Sequence, residues 1–216
     1  MLECVPTGVR EGAYRTTVAR SEEMARSVKG AARRSQLRII GGRWRGRKLT
    51  FIPAQGLRPT TDRIRETLFN WLAPYIHGAR CADLFTGSGA LGLEALSRGA
   101  AQCDFVDSSP ATLAQITTHL ATLEAINCGQ CHTATALEFL QANREPYDLV
   151  FIDPPFGHDL VDATCALLAE KDLLTAGAMA YLETAADEPT PNTPAGWALH
   201  REKSTGGVAY RLFTVN

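Results

Sequence analysis

The sequence has no apolar run near the roughly 20 residues that a membrane-spanning helix needs, and its N-terminus lacks the hydrophobic centre of a secretory signal. The cytoplasm is therefore the expected compartment, with no membrane partner. Cysteines, at positions 4, 81, 103, 128, 131 and 165, are too scattered to staple a small secreted scaffold. Cys128 to Cys131 spells CGQC, but no second cysteine pair completes a zinc site. The motif also leaves a helix and enters a strand, whereas a reactive thiol needs a helix N-terminus or a nearby cation. No metal site is expected.

Acidic residues are missing from one stretch in particular. Residues 36–65 hold a single acid, Asp62, against Arg38, Arg43, Arg45, Arg47, Lys48, Arg58, Arg63 and Arg65, while residues 66–216 carry 18 of the 23 acids and 7 of the 22 basic residues. The net charge of −1 conceals this asymmetry. A basic segment of this kind suits a polyanion. Trp44 interrupts it, and an aromatic ring among cations suits base stacking beside phosphate contacts. Arg43, Trp44, Arg45, Arg47, Lys48 and Arg58 are thus the candidate nucleic-acid contacts.

What is present is an ordinary globular composition, 45% hydrophobic and 21% charged over 216 residues, enough for one sizeable α/β domain. Residues 1–35 show no sustained apolar periodicity and read as a disordered or weakly helical extension. From Leu37, LRII, Gly41-Gly42 and RWRGRKLTF read as a basic β-hairpin, residues 36–58, turning at the glycines with its arginines projecting from a two-stranded ribbon. TTDRIRETLFNWL follows as a capped helix with Ile64, Leu68, Trp71 and Leu72 on one stripe.

Beyond Pro74 short apolar strands alternate with helices, as in a parallel sheet covered on both faces. Strands are expected at Cys81–Phe85, Cys103–Val106, Gly129–Thr133, Tyr147–Ile152 and Ala178–Glu183. Helices are expected at Ala90–Arg98, Pro110 to about Ile126, Ala136–Asn143 and Leu160–Glu170. HREKSTGGVAYRLFTV closes the chain as a hairpin turning at Gly206-Gly207.

Two motifs carry chemistry. The first strand ends in DLFTGSGALGLEAL, whose Gly87, Gly89 and Gly92 have GxGxxG spacing and, with Ser88, bring backbone close to a ligand at a helix N-terminus. Asp107, followed by Ser108, ends the next strand 20 residues past Gly87, where a carboxylate accepts ribose hydroxyls. A dinucleotide and S-adenosylmethionine both fit this half. Asp83 lies inside its strand, where a carboxylate is costly without a cationic partner such as a methionyl ammonium. Ala134 and Thr135, after the third strand, are placed to meet an adenine edge.

The second motif is VFIDPPFG, a buried strand running into an acid, two prolines and an aromatic. If strand order reverses between the first and fourth strands, Asp153 shares a crevice with the glycine loop. An exocyclic base amine is a poor nucleophile because its lone pair is delocalised. Hydrogen bonds to the Asp153 carboxylate and the Pro154 carbonyl would free it, with Pro154 and Pro155 fixing φ and Phe156 offering a stacking face. This chemistry requires neither a metal nor a covalent intermediate.

The strings RIIGGRWRGRKL, GLRPTTDRIRETLFNWL, DLFTGSGALGLEALSRGA, FIDPPF and LHREK with GVAYRL together resemble the RsmD family of bacterial methyltransferases, over about Leu37 to Phe213. The resemblance implies a class I methyltransferase fold: α/β, Rossmann-like, with a doubly wound, mostly parallel sheet over residues 59–216, an antiparallel C-terminal hairpin and the small N-terminal hairpin in front. It implies S-adenosylmethionine as donor and, as acceptor, the N2 of one guanine in 16S rRNA, within an assembling small subunit, with a monomer expected. The family's glycine loop falls on Gly87 to Gly89, its methionine end on Asp83 and Phe85, its ribose acid on Asp107 and its amine-binding motif on Asp153 to Phe156. Thr135 departs from the side-chain amide or acid expected near the adenine. Adenine N6 methylation, a nicotinamide dehydrogenase and a non-catalytic assembly factor are the competing readings.

Overall fold

The computed structural model describes residues 34–52, 61–156 and 160–216. The N-terminal extension expected over residues 1–35 lies outside these residues except for its last two. β1 (Ser35–Arg38) and β2 (Lys48–Phe51) form a two-stranded antiparallel ribbon. There follow α1 (Asp62–Trp71), β3 (Arg80–Asp83), α2 (Ala90–Ser97), β4 (Gln102–Asp107), α3 (Pro110–Thr122), β5 (Gly129–Thr133), α4 (Ala136–Ala142), β6 (Tyr147–Ile152), α5 (Leu160–Glu170), β7 (Leu174–Ala185), β8 (Trp197–Thr205) and β9 (Val208–Val215).

Seven strands make one sheet in the order β5-β4-β3-β6-β7-β9-β8. The first five run parallel, and β9 inserts antiparallel between β7 and β8. The order reverses at β3, which pairs with β4 on one side and β6 on the other, the position at which α/β sheets open a crevice beyond their strand ends.

β6 shows why an uninterrupted apolar run becomes a central strand. Leu149 and Phe151 enter the core beneath α1 and α2, while Val150 and Ile152 enter the opposite core with Leu140 and Leu168. Both faces are covered, so alternation disappears from the sequence. The helices start where short polar side chains cap them: Thr61 accepts from the Ile64 amide, Ser109 from Thr112, and Thr135 from Glu138. α3 ends at Thr122 rather than near Ile126, because Glu124 takes a φ of 55° and a short 3-10 turn, Ile126–Cys128, leads into β5. β7 extends at both ends beyond the expected Ala178–Glu183, since β9 pairs with it as far as Ala185 and β6 pairs with it from Leu174, through an irregularity between Tyr147 and Leu149.

The N-terminal hairpin differs from expectation in its connection. Residues 39–47 form a loop containing the 3-10 turn Gly42–Trp44, so Arg43, Arg45 and Arg47 sit on this loop and not on the ribbon. Gly41-Gly42 is a docking point rather than a hairpin turn. Gly42 has a φ of 74°, and a Cβ there would lie 1.8 Å from the Ser97 carbonyl oxygen.

The hairpin is bound to the sheet domain through α2 and α3. Glu94 is fully buried, and its carboxylate accepts from the Ile40 amide at 2.8 Å, the Gly41 amide at 2.7 Å and Arg98 Nε at 2.8 Å. Arg65, itself buried, faces Glu94 at 3.6 Å and donates to the Arg38 carbonyl and to Asp62. Ser97 Oγ accepts from the Trp44 amide and donates to the Gly41 carbonyl. His119 Nε2 lies 3.1 Å from the Thr50 carbonyl; burial holds the ring below its usual pKa, leaving a neutral imidazole to donate. Leu37, Ile39, Trp44, Leu49 and Phe51 share one continuous core with Leu68, Leu93 and Ile116.

Candidate active site

A cavity of about 950 Å³ opens over the carboxyl ends of β3, β4, β6 and β7. It is lined on one side by Asp83, Phe85, Gly87, Ser88, Asp107, Ser108, Ala134 and Thr135, and on the other by Asp153, Pro154, Pro155, Phe156 and Glu183. The two motifs read from the sequence therefore meet in one crevice.

On the first side, Asp83 is 2% exposed, with Oδ2 accepting the Gly92 amide at 2.9 Å. Burial pushes its carboxyl up to about 7, against the lowering effect of that amide bond and with a further upward push from Asp107. Gly92 makes the bond possible by letting α2 approach β4: a Cβ there would stand 2.3 Å from the Phe105 ring. Gly89 does not line the cavity; it caps α2 with a φ of 75° and packs against Ile116. The Asp107 carboxylate accepts from the Gly87 amide at 3.0 Å and the Ser109 amide at 2.8 Å, which fixes the glycine loop against the end of β4. Each oxygen keeps a further lone pair for a hydroxyl donor.

Thr135 is committed elsewhere. Its hydroxyl and amide bond Glu138, which reaches back to complete a capping box at the start of α4. Contacts to a ligand at this point fall to backbone and to its neighbour Ala134, whose amide is held by the Asp107 carbonyl.

The second side follows the alternation of neighbouring strands. Asp83 pairs in register with Phe151, and Phe151 with Tyr181. Asp153 and Glu183 each lie two residues further on, which directs both to the face that carries Asp83. Glu183 is 4% exposed and accepts the Tyr181 hydroxyl at 2.7 Å. Phe156 is partly buried against the α1-side core and still lines the cavity. Thr61, Arg63 and Ile64 at the start of α1, Phe51 and Ile52 from the hairpin, and Thr205-Gly206 from the β8–β9 turn complete the rim.

The basic segment divides. Arg43, Arg45, Arg47 and Lys48 are exposed outside the cavity. Trp44 is 7% exposed, with the Arg43 guanidinium 4.0 Å above its ring, so the indole presents no face for a base and serves the hairpin's core instead. Arg58 lies outside the described residues. Sequence reasoning missed Arg63, which borders the cavity from the first turn of α1, and Glu183, although it expected a strand over Ala178–Glu183. Cys131 is held by a contact to the Thr117 hydroxyl, and burial raises its thiol, the opposite of what a reactive thiolate requires.

A family model described as "Conserved hypothetical protein 95" matches residues 37–214. The ribosomal RNA small subunit methyltransferase D of Escherichia coli K12 is 51% identical over 178 residues, covering 82% of this chain and 89% of that protein. The chain belongs to the RsmD family. The Haemophilus influenzae protein of the same description is 44% identical over 183 residues, 83% of this chain and 94% of its own length. The solved Escherichia coli protein yhhF superposes with a TM-score of 0.77 at 49% identity, covering 84% of this chain and 99% of that one. The sheet order and these RsmD relatives make the fold that of the class I methyltransferases.

Proposed function

We propose that this protein transfers a methyl group from S-adenosylmethionine to the N2 amine of one guanine in 16S rRNA, acting as a monomer in the cytoplasm on the assembling small subunit. The observation that carries this reading is the convergence of Asp83, the glycine loop and Asp107 with Asp153–Phe156 in one cavity. Membership of a family whose curated relatives act on small-subunit rRNA supports the acceptor.

The residues fit the donor. A buried carboxylate with a raised pKa at Asp83 suits an ammonium, Asp107 suits ribose hydroxyls, and the Ala134–Leu137 segment offers backbone and apolar surface to a purine. When bound, S-adenosylmethionine supplies an electrophilic methyl group. Asp153 and the Pro154 carbonyl hold the amine hydrogens of the acceptor, drawing the nitrogen toward tetrahedral geometry, and the departing proton is already hydrogen-bonded to Asp153. Phe156 supports the base face, and the proline pair holds the acceptor oxygens in place before the base arrives. Positioning carries most of the rate. Arg43, Arg45, Arg47, Lys48 and Arg63 form the surface for rRNA phosphates, with Arg63 at the cavity mouth.

Labelled donor incubated with small subunits from cells lacking the modification, followed by digestion to nucleosides and mass spectrometry, tests this directly. N2-methylguanosine at one site is expected. Donor binding without any N2-methylguanosine would leave the fold and cofactor standing and remove the acceptor assignment.

The Asp83 carboxyl gives the donor site a pH dependence. An ammonium partner needs the carboxylate, so donor affinity should rise between pH 5.5 and 7, and Asp83→Asn should flatten the profile. Calorimetry in buffers of different ionisation enthalpy reads the accompanying proton release. Stability runs the other way. Between 3.8, the ordinary value, and about 7 the folded chain keeps a proton that the unfolded chain has lost, so this group's contribution declines as pH rises through that window. An affinity independent of pH in the wild type would separate Asp83 from the ligand's cation.

A further inference from the structure

Glu183 is a buried carboxylate at the cavity wall that the transfer chemistry above does not use. It stands at the carboxyl end of β7, beside the end of β6 that carries Asp153, and on the same face. Tyr181, two residues earlier, donates its hydroxyl to Oε2 at 2.7 Å and fixes the carboxylate's orientation. That phenol remains a donor across the working range, because burial and the neighbouring Glu183 and Asp153 carboxylates push it well above its usual value. Thr205 and Gly206 of the β8–β9 turn border the same cavity.

The chemistry of the acceptor edge gives such a group a use. Guanine presents its 2-amine beside a protonated ring nitrogen, N1–H, so its edge offers adjacent donors. Adenine presents an unprotonated N1 at that place, where a fixed carboxylate would meet a lone pair. A buried acceptor facing the wrong pattern loses a hydrogen bond and keeps its desolvation cost, which is the strongest form of discrimination a polar pocket has.

We propose that Glu183 accepts the N1–H of the target guanine, so that two carboxylates on adjacent strands divide the base's donor edge: Asp153 takes the exocyclic amine and Glu183 the ring N–H. Glu183 is then the residue that selects guanine, and Tyr181 is a positioning residue acting through it. This rests on the guanine-N2 reading above.

The test uses 2-aminopurine, which keeps the 2-amine but has no hydrogen on N1. Small subunits are assembled on rRNA ligated to carry guanine or 2-aminopurine at the methylated position, and kcat/KM for each is measured by mass spectrometry of the nucleosides. Wild type should prefer guanine by at least about 10²-fold. Glu183→Gln should lose about 10²-fold on guanine and narrow the preference to less than about 10-fold, since a carboxamide can turn an N–H toward the unprotonated N1. The variant comparison removes any intrinsic difference in amine reactivity, and unchanged donor affinity by calorimetry certifies its fold. Tyr181→Phe should slow turnover by about 10-fold while leaving the guanine preference in place.

Wild-type protein that methylates both bases equally, or Glu183→Gln with an undiminished guanine preference, would overturn the role of Glu183 while leaving the guanine-N2 reaction intact. Absence of N2-methylguanosine from the wild-type reaction on guanine would instead remove the parent reading and this inference together.

Discussion

Asp153→Ala is expected to cut N2-methylguanosine formation by at least about 10²-fold while S-adenosylmethionine affinity stays within about threefold of wild type. The separation follows from position. Asp153 lies past the end of β6, on the acceptor side of the cavity, whereas Asp83 and Asp107 lie at the ends of β3 and β4 on the donor side. Removing the Asp153 carboxylate takes away the group that holds the amine hydrogens and leaves the glycine loop, anchored through the Gly87 amide by Asp107, undisturbed. Single-turnover rates with saturating donor, together with calorimetric donor binding, give both numbers. A variant that binds the donor poorly would transfer Asp153 to the donor half.

Glu94→Ala should lower the free energy of unfolding by about 3 to 5 kcal/mol, read from the midpoint of urea denaturation. The carboxylate is fully buried between two arginines and accepts two backbone amides from the hairpin. Its loss takes from Arg65, already 1% exposed, the buried one of its two carboxylate neighbours, leaving Asp62 at 2.6 Å, and leaves Ile40 and Gly41 amides unbonded. Hydrogen exchange should localise the damage: Ile40 and Gly41 should lose protection before β6 does. Equal protection at those amides in wild type and variant would mean that other contacts, such as Ser97 to Gly41, hold the hairpin unaided.

The parallel half of the fold was legible because its signals are local. Tyr147–Ile152 and Leu160–Glu170 fall where the apolar run and the helical period place them. The hairpin was harder. A glycine pair between two short strands is the ordinary mark of a tight turn, yet Gly41-Gly42 exists to let backbone meet Ser97 and Arg98 on a helix more than 50 residues later. Trp44 misled for the same reason. An indole among arginines looks like a stacking platform, and only the packing of α2 shows that it is enclosed. Of the cavity, the glycine loop and the Asp153–Phe156 motif were readable, because each lies within one strand and the turn after it. Glu183 was not, since its meaning depends on β7 lying next to β6, a pairing that no local pattern states.

α2 has only eight residues, about 12 Å of helix. Its first turn supplies the Gly92 amide to Asp83, and its second supplies Glu94 and Ser97 to the hairpin. The surface proposed to grip rRNA and the floor of the donor site are thus two ends of one short rigid rod. On that reading the protein works as a calliper: a nucleotide qualifies when it lies at the fixed reach from the gripped backbone, so selection of the site is a measurement of distance before it is a recognition of the base.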